Sequence, residues 1–393
     1  MEILVLGNGF DLYHHLPTKY ENVLHTIGFL QRHKDEHFKT IGDVLGDETL
    51  CESDRYLSSC YEKHKKVYDS YELDTDIIND IICLANENIW FSYFLIAYNK
   101  DLGWIDFETK IAEVIETFRK FFENDSIVFT LHGNNLDAKD SFILKQFDFF
   151  YRTTNVSSRS GKFYVEYQKK ICNSYLTADP FGSDNYIIDK DKIINFMYEH
   201  LKKLIKMIRL YLECFVETVT NTKESFEQIP FLLDTSIDML FTFNYTNTFQ
   251  KIYNTATEQR HIHGNIHNDN IILGISSDKY DEIEDMNTDF ICFKKYYQRL
   301  IYDTEINEND DIFHCLIFKE KSETIRLTII GHSLDASDKD TLFPLFEVAN
   351  EINIYYHNEA AKAAYIKNLI TLYGKNALYN IRNNKKLKFI QLT

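Results

Sequence analysis

The sequence is poor in the residues that interrupt regular structure, with only 4 prolines and 13 glycines among its 393 residues. We therefore expect long regular elements, because few positions force a helix or strand to end. It contains 7 cysteines, scattered singly and without a Cys-x-x-Cys pair. That odd number and spacing indicate neither a disulfide framework nor a structural zinc site.

Basic residues are also scarce, since 43 Lys and Arg stand against 60 Asp and Glu and give a net charge of −17. An acidic surface of this kind repels phosphate backbones, which disfavours general nucleic-acid binding. The sequence has no apolar run long enough to span a bilayer and no basic segment before its first apolar run. We therefore expect no membrane partner, no signal peptide and a cytoplasmic location.

The sequence does contain alternating strand and helix patterns. Residues 2–6 form a nearly continuous apolar run, two glycines follow, and apolar residues then recur at helical spacing as far as residue 30. Strand, glycine turn and helix in this order are typical of a doubly wound fold. We predict an α/β fold with a Rossmann-like, mostly parallel sheet. Its later strands are expected at residues 238–243, 259–263, 271–275, 326–330, 352–356 and 387–392.

Helical periodicity dominates between the first strand and the later ones, for example over residues 106–122 and 193–219. We therefore predict a split nucleotide-binding core of residues 1–37 and 224–393. Residues 38–223 are predicted to form a mainly helical insertion or cap domain. Within it, residues 152–191 lack a clear period and are expected to be mostly loop. The acidic segment 278–311 is expected to be a surface excursion.

The first motif is the loop Gly7-Asn8-Gly9-Phe10-Asp11, directly after the first strand. Two glycines allow the backbone to approach a phosphate or sugar closely, and the following helix offers free N–H groups. The third glycine of the dinucleotide fingerprint is missing, so the loop is not that of a standard dehydrogenase. We predict that the first four residues contact a ligand and that Asp11 takes part in catalysis. A tight turn without a ligand is the alternative.

A second motif, Asn244-Tyr245-Thr246-Asn247, follows the strand predicted at 238–243. Side chains at this edge of an open α/β sheet face the crevice where ligands bind. Asn244 can donate and accept hydrogen bonds at once, which suits holding a ribose hydroxyl or an attacking water. A cap on the next helix is the alternative.

The third motif is His261-Ile262-His263-Gly264. In a strand the two histidines share a face, which is a spacing that metal ligands use. Gly264, however, indicates that the strand ends here and turns, so His263 is predicted as a general base and Gly264 as a ligand contact. A metal site and a structural histidine stay open as alternatives.

A fourth motif, Gly331-His332-Ser333-Leu334-Asp335, again follows an apolar strand. Gly331 permits close approach of a ligand, and Ser333 and Asp335 are predicted to contact its sugar. The alternative is a helix N-cap with acidic residues in the first turn. Asp106 and Glu108 are interpreted in that second way, as first-turn residues without a function.

The order of the motifs along the chain resembles that of the AbiH family. These are bacterial proteins associated with abortive infection, in which a phage-infected cell stops growing or dies before progeny emerge. The resemblance implies an antiphage function and adds Thr18 to the predicted ligand contacts. It is carried by the segments Gly7–Asp11, Leu16–Tyr20, Trp104–Glu108, Phe243–Thr246, His261–Gly264 and Gly331–Leu334.

A glycine loop, an Asn at a strand end, His-Gly and Gly-x-Ser-Leu are also similar in order to sirtuin-like NAD-binding domains. That resemblance implies that Gly7, Gly9, Asp11 and Asn244 bind NAD, that His263 is the base and that Ser333 contacts the cofactor. The sequence departs from it in two ways. No cysteine quartet exists for the zinc module, which argues against protein deacylation, and Thr246 stands where an Asp often follows Asn-Tyr.

The leading hypothesis is an abortive-infection effector that hydrolyses or binds an NAD-like nucleotide. The helical insertion is expected to cover the crevice or to respond to a phage-derived trigger. One alternative is a metal-assisted nuclease that uses the histidines or Asp335 and Asp338. Another is a non-catalytic nucleotide sensor that binds a partner. Self-association into a homo-oligomer stays open.

Overall fold

The computed structural model describes most of the chain: residues 1–100, 106–123, 138–159, 162–178, 186–222, 226–253, 257, 259–275, 288–304, 324–383 and 386–392. The chain divides into two compact units. The first comprises residues 1–82, 207–285 and 293–393, and the second residues 83–206 and 286–292. The predicted boundaries at residues 37/38 and 223/224 stay a prediction. Trp104 of the family segment Trp104–Glu108 and part of the acidic segment lie outside the described residues.

A six-stranded parallel sheet forms the centre of the first unit, and two short antiparallel pairs lie in the second. The strands are β1 (Glu2–Leu6), β2 (Phe150–Arg159), β3 (Lys162–Ile171), β4 (Leu176–Ala178), β5 (Tyr186–Ile188), β6 (Met239–Thr242), β7 (Gln259–His261), β8 (Arg326–Ile330), β9 (Glu351–Tyr356) and β10 (Leu387–Gln391).

The order across the large sheet is β10-β9-β8-β1-β6-β7. If the six strands of this sheet are numbered in chain order, their order from the β7 edge is 3-2-1-4-5-6. This is the doubly wound order. The predicted α/β fold with a Rossmann-like parallel sheet is therefore confirmed. The chain reverses direction across the sheet between β1 and β8, the position where such folds usually bind ligands.

The helices between these strands have the following bounds. The α-helices are Asn8–Tyr13, Tyr20–Arg32, Ile41–Leu45, Glu48–Ser53, Arg55–Ser70, Thr75–Glu87, Ile89–Lys100, Phe107–Glu123, Ala138–Gln146, Lys190–Tyr211, Thr218–Thr220, Pro230–Asp234, Thr248–Tyr253, Lys295–Tyr302, Lys339–Val348, Glu359–Tyr373 and Lys375–Asn383. A π-helix, Leu212–Glu217, continues the longest of them.

The central strands β1 and β6 are buried almost throughout, which explains why they are nearly continuous apolar runs. Ile3 and Val5 of β1 point to one face and belong to the same core cluster as residues of the helices Lys339–Val348 and Glu359–Tyr373. Leu4 and Leu6 point to the other and pack with Phe10. Alternate residues of one strand thus belong to two separate clusters, as the pleat requires.

The second unit has an aromatic core of its own. Trp90 is fully buried, and its indole N–H donates to the carbonyl of Met197 at 2.8 Å. The rings of Phe94 and Phe107 stack with centroids 4.3 Å apart, and Phe147 meets Trp90 edge-on. Large buried aromatic rings in such pairs supply most of the favourable burial in a unit of this size.

Two sequence predictions about local structure are wrong. Residues 150–159 and 162–171 form the paired strands β2 and β3 rather than a loop, because Thr, Val and Tyr favour strands even without apolar alternation. Residues 271–275 form no strand; Ile275 makes only an isolated bridge to Lys294. That segment is instead held by the side chain of Gln298, which bonds both the N–H and the carbonyl of Leu273.

No single helix in the part of the chain that the structure describes has the length and apolar character to cross a membrane. By length and composition alone, the bent pair Thr75–Glu87 and Ile89–Asn99 meets that test when taken together.

Candidate functional site

The motif loops begin at one edge of the sheet. Leu6 is paired with Thr242 on one side and with Ile330 on the other, and Thr242 is paired with His261. Four neighbouring strands therefore end in one row. The residues that follow them lie side by side along the carboxyl edge, where open α/β sheets bind ligands.

Asp11 lies in helix Asn8–Tyr13 after β1 and joins that helix to the loop after β6. Its side chain is only 1% exposed and accepts hydrogen bonds from Asn244 Nδ2 at 3.1 Å and from Thr246 Oγ1 at 2.6 Å. Thr248 Oγ1 in turn donates to Thr246 Oγ1 at 3.0 Å. Burial raises the pKa of Asp11 to about 6, and the hydroxyl and amide donors only partly oppose that shift.

Asn244 is held in one orientation by this carboxylate. Its Nδ2 donates to Asp11, and its backbone N–H donates to Thr242 Oγ1 at 3.1 Å. Its Oδ1 is buried and has no hydrogen-bond partner among the described residues. The protein therefore presents a desolvated acceptor at the sheet edge, and a ligand O–H or N–H group could satisfy it.

His261 has a structural role. Its Nδ1–H donates to the carbonyl of Asn244 at 2.9 Å, and its Nε2 lies 3.1 Å from the amide nitrogen of Gln259. Burial lowers the pKa of His261 to about 4, so the ring is neutral near pH 7. The ring thus fixes the backbone of the residue whose side chain carries the free acceptor.

His263 faces a different partner. Its Nε2–H donates to Asp338 Oδ1 at 2.9 Å, and its ring meets Phe243 edge-on with centroids 5.1 Å apart. Burial first, and then the charge of Lys295, lower the pKa of His263 to about 4 despite the nearby carboxylate. The ring is therefore neutral near pH 7. With Nε2 protonated, the lone pair is on Nδ1, where a proton can be accepted.

The two histidines do not converge, since one bonds Asn244 and the other Asp338. Among the residues that the structure describes, no group of three or more His, Cys, Asp and Glu side chains is arranged to hold a metal ion. The spacing that suggested a metal site is explained instead by two separate hydrogen bonds.

Asp338 is the centre of a buried polar cluster that sequence reasoning largely missed. Its Oδ1 lies 3.2 Å from Lys295 Nζ and 3.5 Å from Arg299 Nη2, and its Oδ2 lies 3.5 Å from His332 Nε2. Burial alone would raise the pKa of Asp338, but Lys295 and His263 hold it well below its usual range. The carboxylate is therefore ionised throughout the neutral range.

Lys295 and Arg299 lie within the segment predicted as a surface excursion, and for residues 293–302 that prediction is wrong. Both are buried, at 2% and 4% exposure, while Leu300 and Ile301 of the same helix are exposed. Burying each of those apolar side chains would be worth about 1.5–3 kcal/mol. The usual rule that the apolar face of a helix points to the interior therefore predicts the wrong orientation for this helix.

The first motif, predicted as a loop, forms the start of helix Asn8–Tyr13 with Gly7 as its N-cap. The glycines of the first and fourth motifs allow the start of this helix to touch the loop after β8. The N–H groups of Gly7 and Gly9 donate to the carbonyls of Ile330 and Gly331 at 3.0 and 2.8 Å. A Cβ on Gly9 would lie 2.7 Å from Gly331 Cα, and Gly331 itself has a φ of +69°. Close backbone packing thus accounts for these glycines. Their contact with a nucleotide stays a prediction.

The remaining predicted contacts have partners within the protein. Thr18 Oγ1 donates to Asn8 Oδ1 at 2.6 Å, and Phe10 is fully buried in the core. Gly264 has a φ of +72°, and a Cβ there would lie 1.8 Å from the carbonyl oxygen of Asn270. A tight turn accounts for that residue.

The acidic residues after β8 and before helix Phe107–Glu123 act as helix caps. Asp335 Oδ1 accepts the N–H of Ser337 at 2.9 Å, and Asp106 Oδ1 accepts that of Glu108 at 3.0 Å. Ser333 is exposed, and its carbonyl accepts from Asn368 Nδ2 at 2.9 Å. Ligand contacts of Ser333 and Asp335 stay predictions.

The buried carboxylate of Asp11 makes stability depend on pH. Its pKa is raised from 3.8 to about 6, so the native state holds the proton more tightly than the unfolded chain. The associated stability is complete below about pH 4 and is lost as the pH rises through about 6. We expect wild type to lose up to about 3 kcal/mol relative to Asp11→Asn between about pH 4 and pH 8. Urea unfolding at a series of pH values measures this, and parallel curves for the two proteins would contradict it.

A family model described as Bacteriophage abortive infection AbiH matches residues 3–357. No curated protein and no solved structure matches the chain. The similarity to sirtuin-like domains thus gains no support from these comparisons.

Proposed function

The chain belongs to the AbiH family of bacteriophage abortive-infection proteins, and we propose that it acts in this defence by hydrolysing an NAD-like nucleotide at the carboxyl edge of its sheet. The nucleotide would lie against the loops after β6 and β7. Asp11, Asn244 and His263 would carry the reaction, with Asp338 positioning the histidine.

The observation that carries this proposal is the buried acceptor of Asn244. Its Oδ1 has no partner among the described residues, while Asp11 occupies the amide nitrogen. An unsatisfied buried polar atom costs about 1–3 kcal/mol. A protein that keeps one at a sheet edge gains from a ligand donor there, and a ribose hydroxyl is such a donor.

The proposed reaction breaks the bond between nicotinamide and C1′ of the ribose, and nicotinamide leaves with the electron pair. The oxygen of water bonds to C1′, and the proton that this water loses passes to His263 Nδ1. Nε2 of that ring already donates to Asp338, which supports Nδ1 as the acceptor atom. A general base supplies about 10²–10⁴-fold, so positioning by Asn244 must supply much of the remaining rate.

The surroundings of Asp338 disfavour the metal-assisted nuclease. Lys295 Nζ and Arg299 Nη2 lie 3.2 and 3.5 Å from its carboxylate, and their positive charges oppose the binding of a cation. Asp335 is engaged as a helix cap. The sensor alternative uses the same residues and differs only in leaving the nucleotide intact.

The test is release of nicotinamide from NAD by the purified full chain, with and without an extract of phage-infected cells. We expect Asn244→Ala to lower the turnover rate at least about 100-fold, because positioning is lost. His263→Ala should lower it about 10²–10⁴-fold through loss of the base. The exposed residues Asn79 and His37 provide matched controls, and their replacement by Ala should leave turnover unchanged.

Two other results would overturn hydrolysis. NAD that stays intact under every condition, while Asn244→Ala still abolishes phage defence in cells, would identify a sensor. Chelator-sensitive cleavage of RNA or DNA by wild type, with NAD intact, would identify a nuclease.

A further inference from the structure

The helix Lys295–Tyr302 has its polar side inward. Lys295, Gln298 and Arg299 are at most 4% exposed, whereas Leu300 and Ile301 are 59% and 56% exposed. The usual arrangement of an amphipathic helix is the reverse. Its orientation therefore brings two cations to the interior at the expense of apolar burial.

Local hydrogen bonds hold the helix in this orientation. The side chain of Gln298 bonds the N–H and the carbonyl of Leu273 at 3.0 and 3.1 Å, and the N–H of Lys295 donates to Ile275 O at 2.9 Å. The segment around Leu273 is also joined to the loop after β7, because Ile272 N–H donates to His263 O at 2.8 Å. The polar side of the helix is thereby fixed next to His263.

The two cations share the buried carboxylate of Asp338. Arg299 reaches Asp338 at 3.5 Å and the more exposed Asp340 at 3.9 Å, so its contact with neither of these two carboxylates is a short paired one. Its Nε is buried without a hydrogen-bond partner among the described residues. A guanidinium often binds an anion through two parallel N–H bonds. The Nε–H of Arg299 is available as one of these two donors.

We propose that Lys295 and Arg299 form a binding site for a phosphate group beside His263. This deepens the proposed function, on which the identity of the ligand rests: the substrate would be a phosphorylated nucleotide whose phosphate bonds the guanidinium. The negative charge of such a ligand would also offset the two cations next to the His263 ring. The fork geometry of Arg299 suits a tetrahedral oxyanion, free or carried by a nucleotide.

The test is calorimetric titration of the full chain with ADP-ribose, inorganic phosphate and adenosine. We expect Arg299→Gln to weaken ADP-ribose binding at least about 10-fold while adenosine binding is unchanged, since the lost contact is a charge-assisted bond to phosphate. Arg382→Gln, at an exposed arginine of another helix, is the matched control. Inorganic phosphate should compete with ADP-ribose for wild type, whereas it would not if the nucleotide bound elsewhere.

The outcomes separate this inference from the proposed hydrolysis. If NAD is never cleaved, weaker binding of ADP-ribose by Arg299→Gln still supports the phosphate site. Should Arg299→Gln fail to fold, Arg299→Lys takes its place: it keeps the charge but loses the planar fork, so it should still weaken ADP-ribose binding, and equal binding by wild type and Arg299→Lys would then overturn the inference. Equal binding by wild type and a folded Arg299→Gln overturns the inference. So does the absence of any effect of phosphate or ADP-ribose on the thermal unfolding of wild type.

Discussion

Replacement of Asp338 by Ala is expected to lower the free energy of unfolding by about 3–5 kcal/mol. The carboxylate is buried and faces Lys295, Arg299 and the N–H of His263. Removing it leaves two buried cations without their shared counter-charge and the histidine without its acceptor. The loss is much larger than that of an exposed ion pair, for which water screens the charges.

Urea unfolding measures this loss, with Asp35→Ala as the matched control. Asp35 is exposed, so its replacement should change the free energy of unfolding by no more than about 0.5 kcal/mol. If the two variants are equally stable, the cluster around Asp338 is hydrated and does not stabilise the loops at the sheet edge.

The second large effect is expected at Gly331. Its φ of +69° is unfavourable for any residue with a Cβ, and that Cβ would lie 2.2 Å from Phe10 N. Gly374 has a similar φ of +76° but nothing within 4 Å of the added atom. Gly374→Ala should therefore cost only the conformational strain, about 1–2 kcal/mol. Gly331→Ala should cost a further 1–3 kcal/mol or so, because the clash is with backbone.

Both variants carry the strain of a positive φ, but only Gly331→Ala adds a clash with neighbouring backbone. The difference between their losses of stability therefore measures the cost of that clash. Thermal or urea unfolding of both, beside wild type, gives the difference directly. Equal losses of stability would show that the start of helix Asn8–Tyr13 and the loop after β8 can separate at little cost. The first motif would then be open to a ligand rather than closed by its neighbour.

The central strands of the sheet were predictable from sequence because burial on both faces leaves a clear signal. β1 and β8 are apolar runs that end in glycine, and each sits in the sheet as expected. The row of motif loops followed from the same reasoning. Parallel strands end at one edge, so the polar residue after β6, Asn244, had to lie near the loop after β1.

The ion cluster was not predictable in the same way. Asp338 is 43 residues from Lys295 along the chain, and a surface interpretation of the helix Lys295–Tyr302 assigned its charged residues to solvent. Burial of cations depends on a partner that only the fold provides. The sequence marks Asp338 as a nuclease candidate or as an acidic residue in the first turn of a helix, and no local pattern points to its pairing with His263.

The glycines of the first motif show a different limit of sequence reasoning. A glycine permits close approach, but the sequence does not say of what. The N–H of Gly9 donates to the carbonyl of Gly331. Contact of the glycines with a phosphate stays a prediction, and our proposal places a phosphate contact at Arg299 and Lys295.

Release of nicotinamide from NAD by wild type and Asn244→Ala tests the central claim most directly. The claim is that the Asn244 acceptor, held by Asp11, positions the ribose of an NAD-like nucleotide for hydrolysis. It predicts turnover by wild type, a loss of at least about 100-fold in Asn244→Ala and no loss in Asn79→Ala. Equal rates for all three proteins, or intact NAD with wild type in the presence of infected-cell extract, would contradict it.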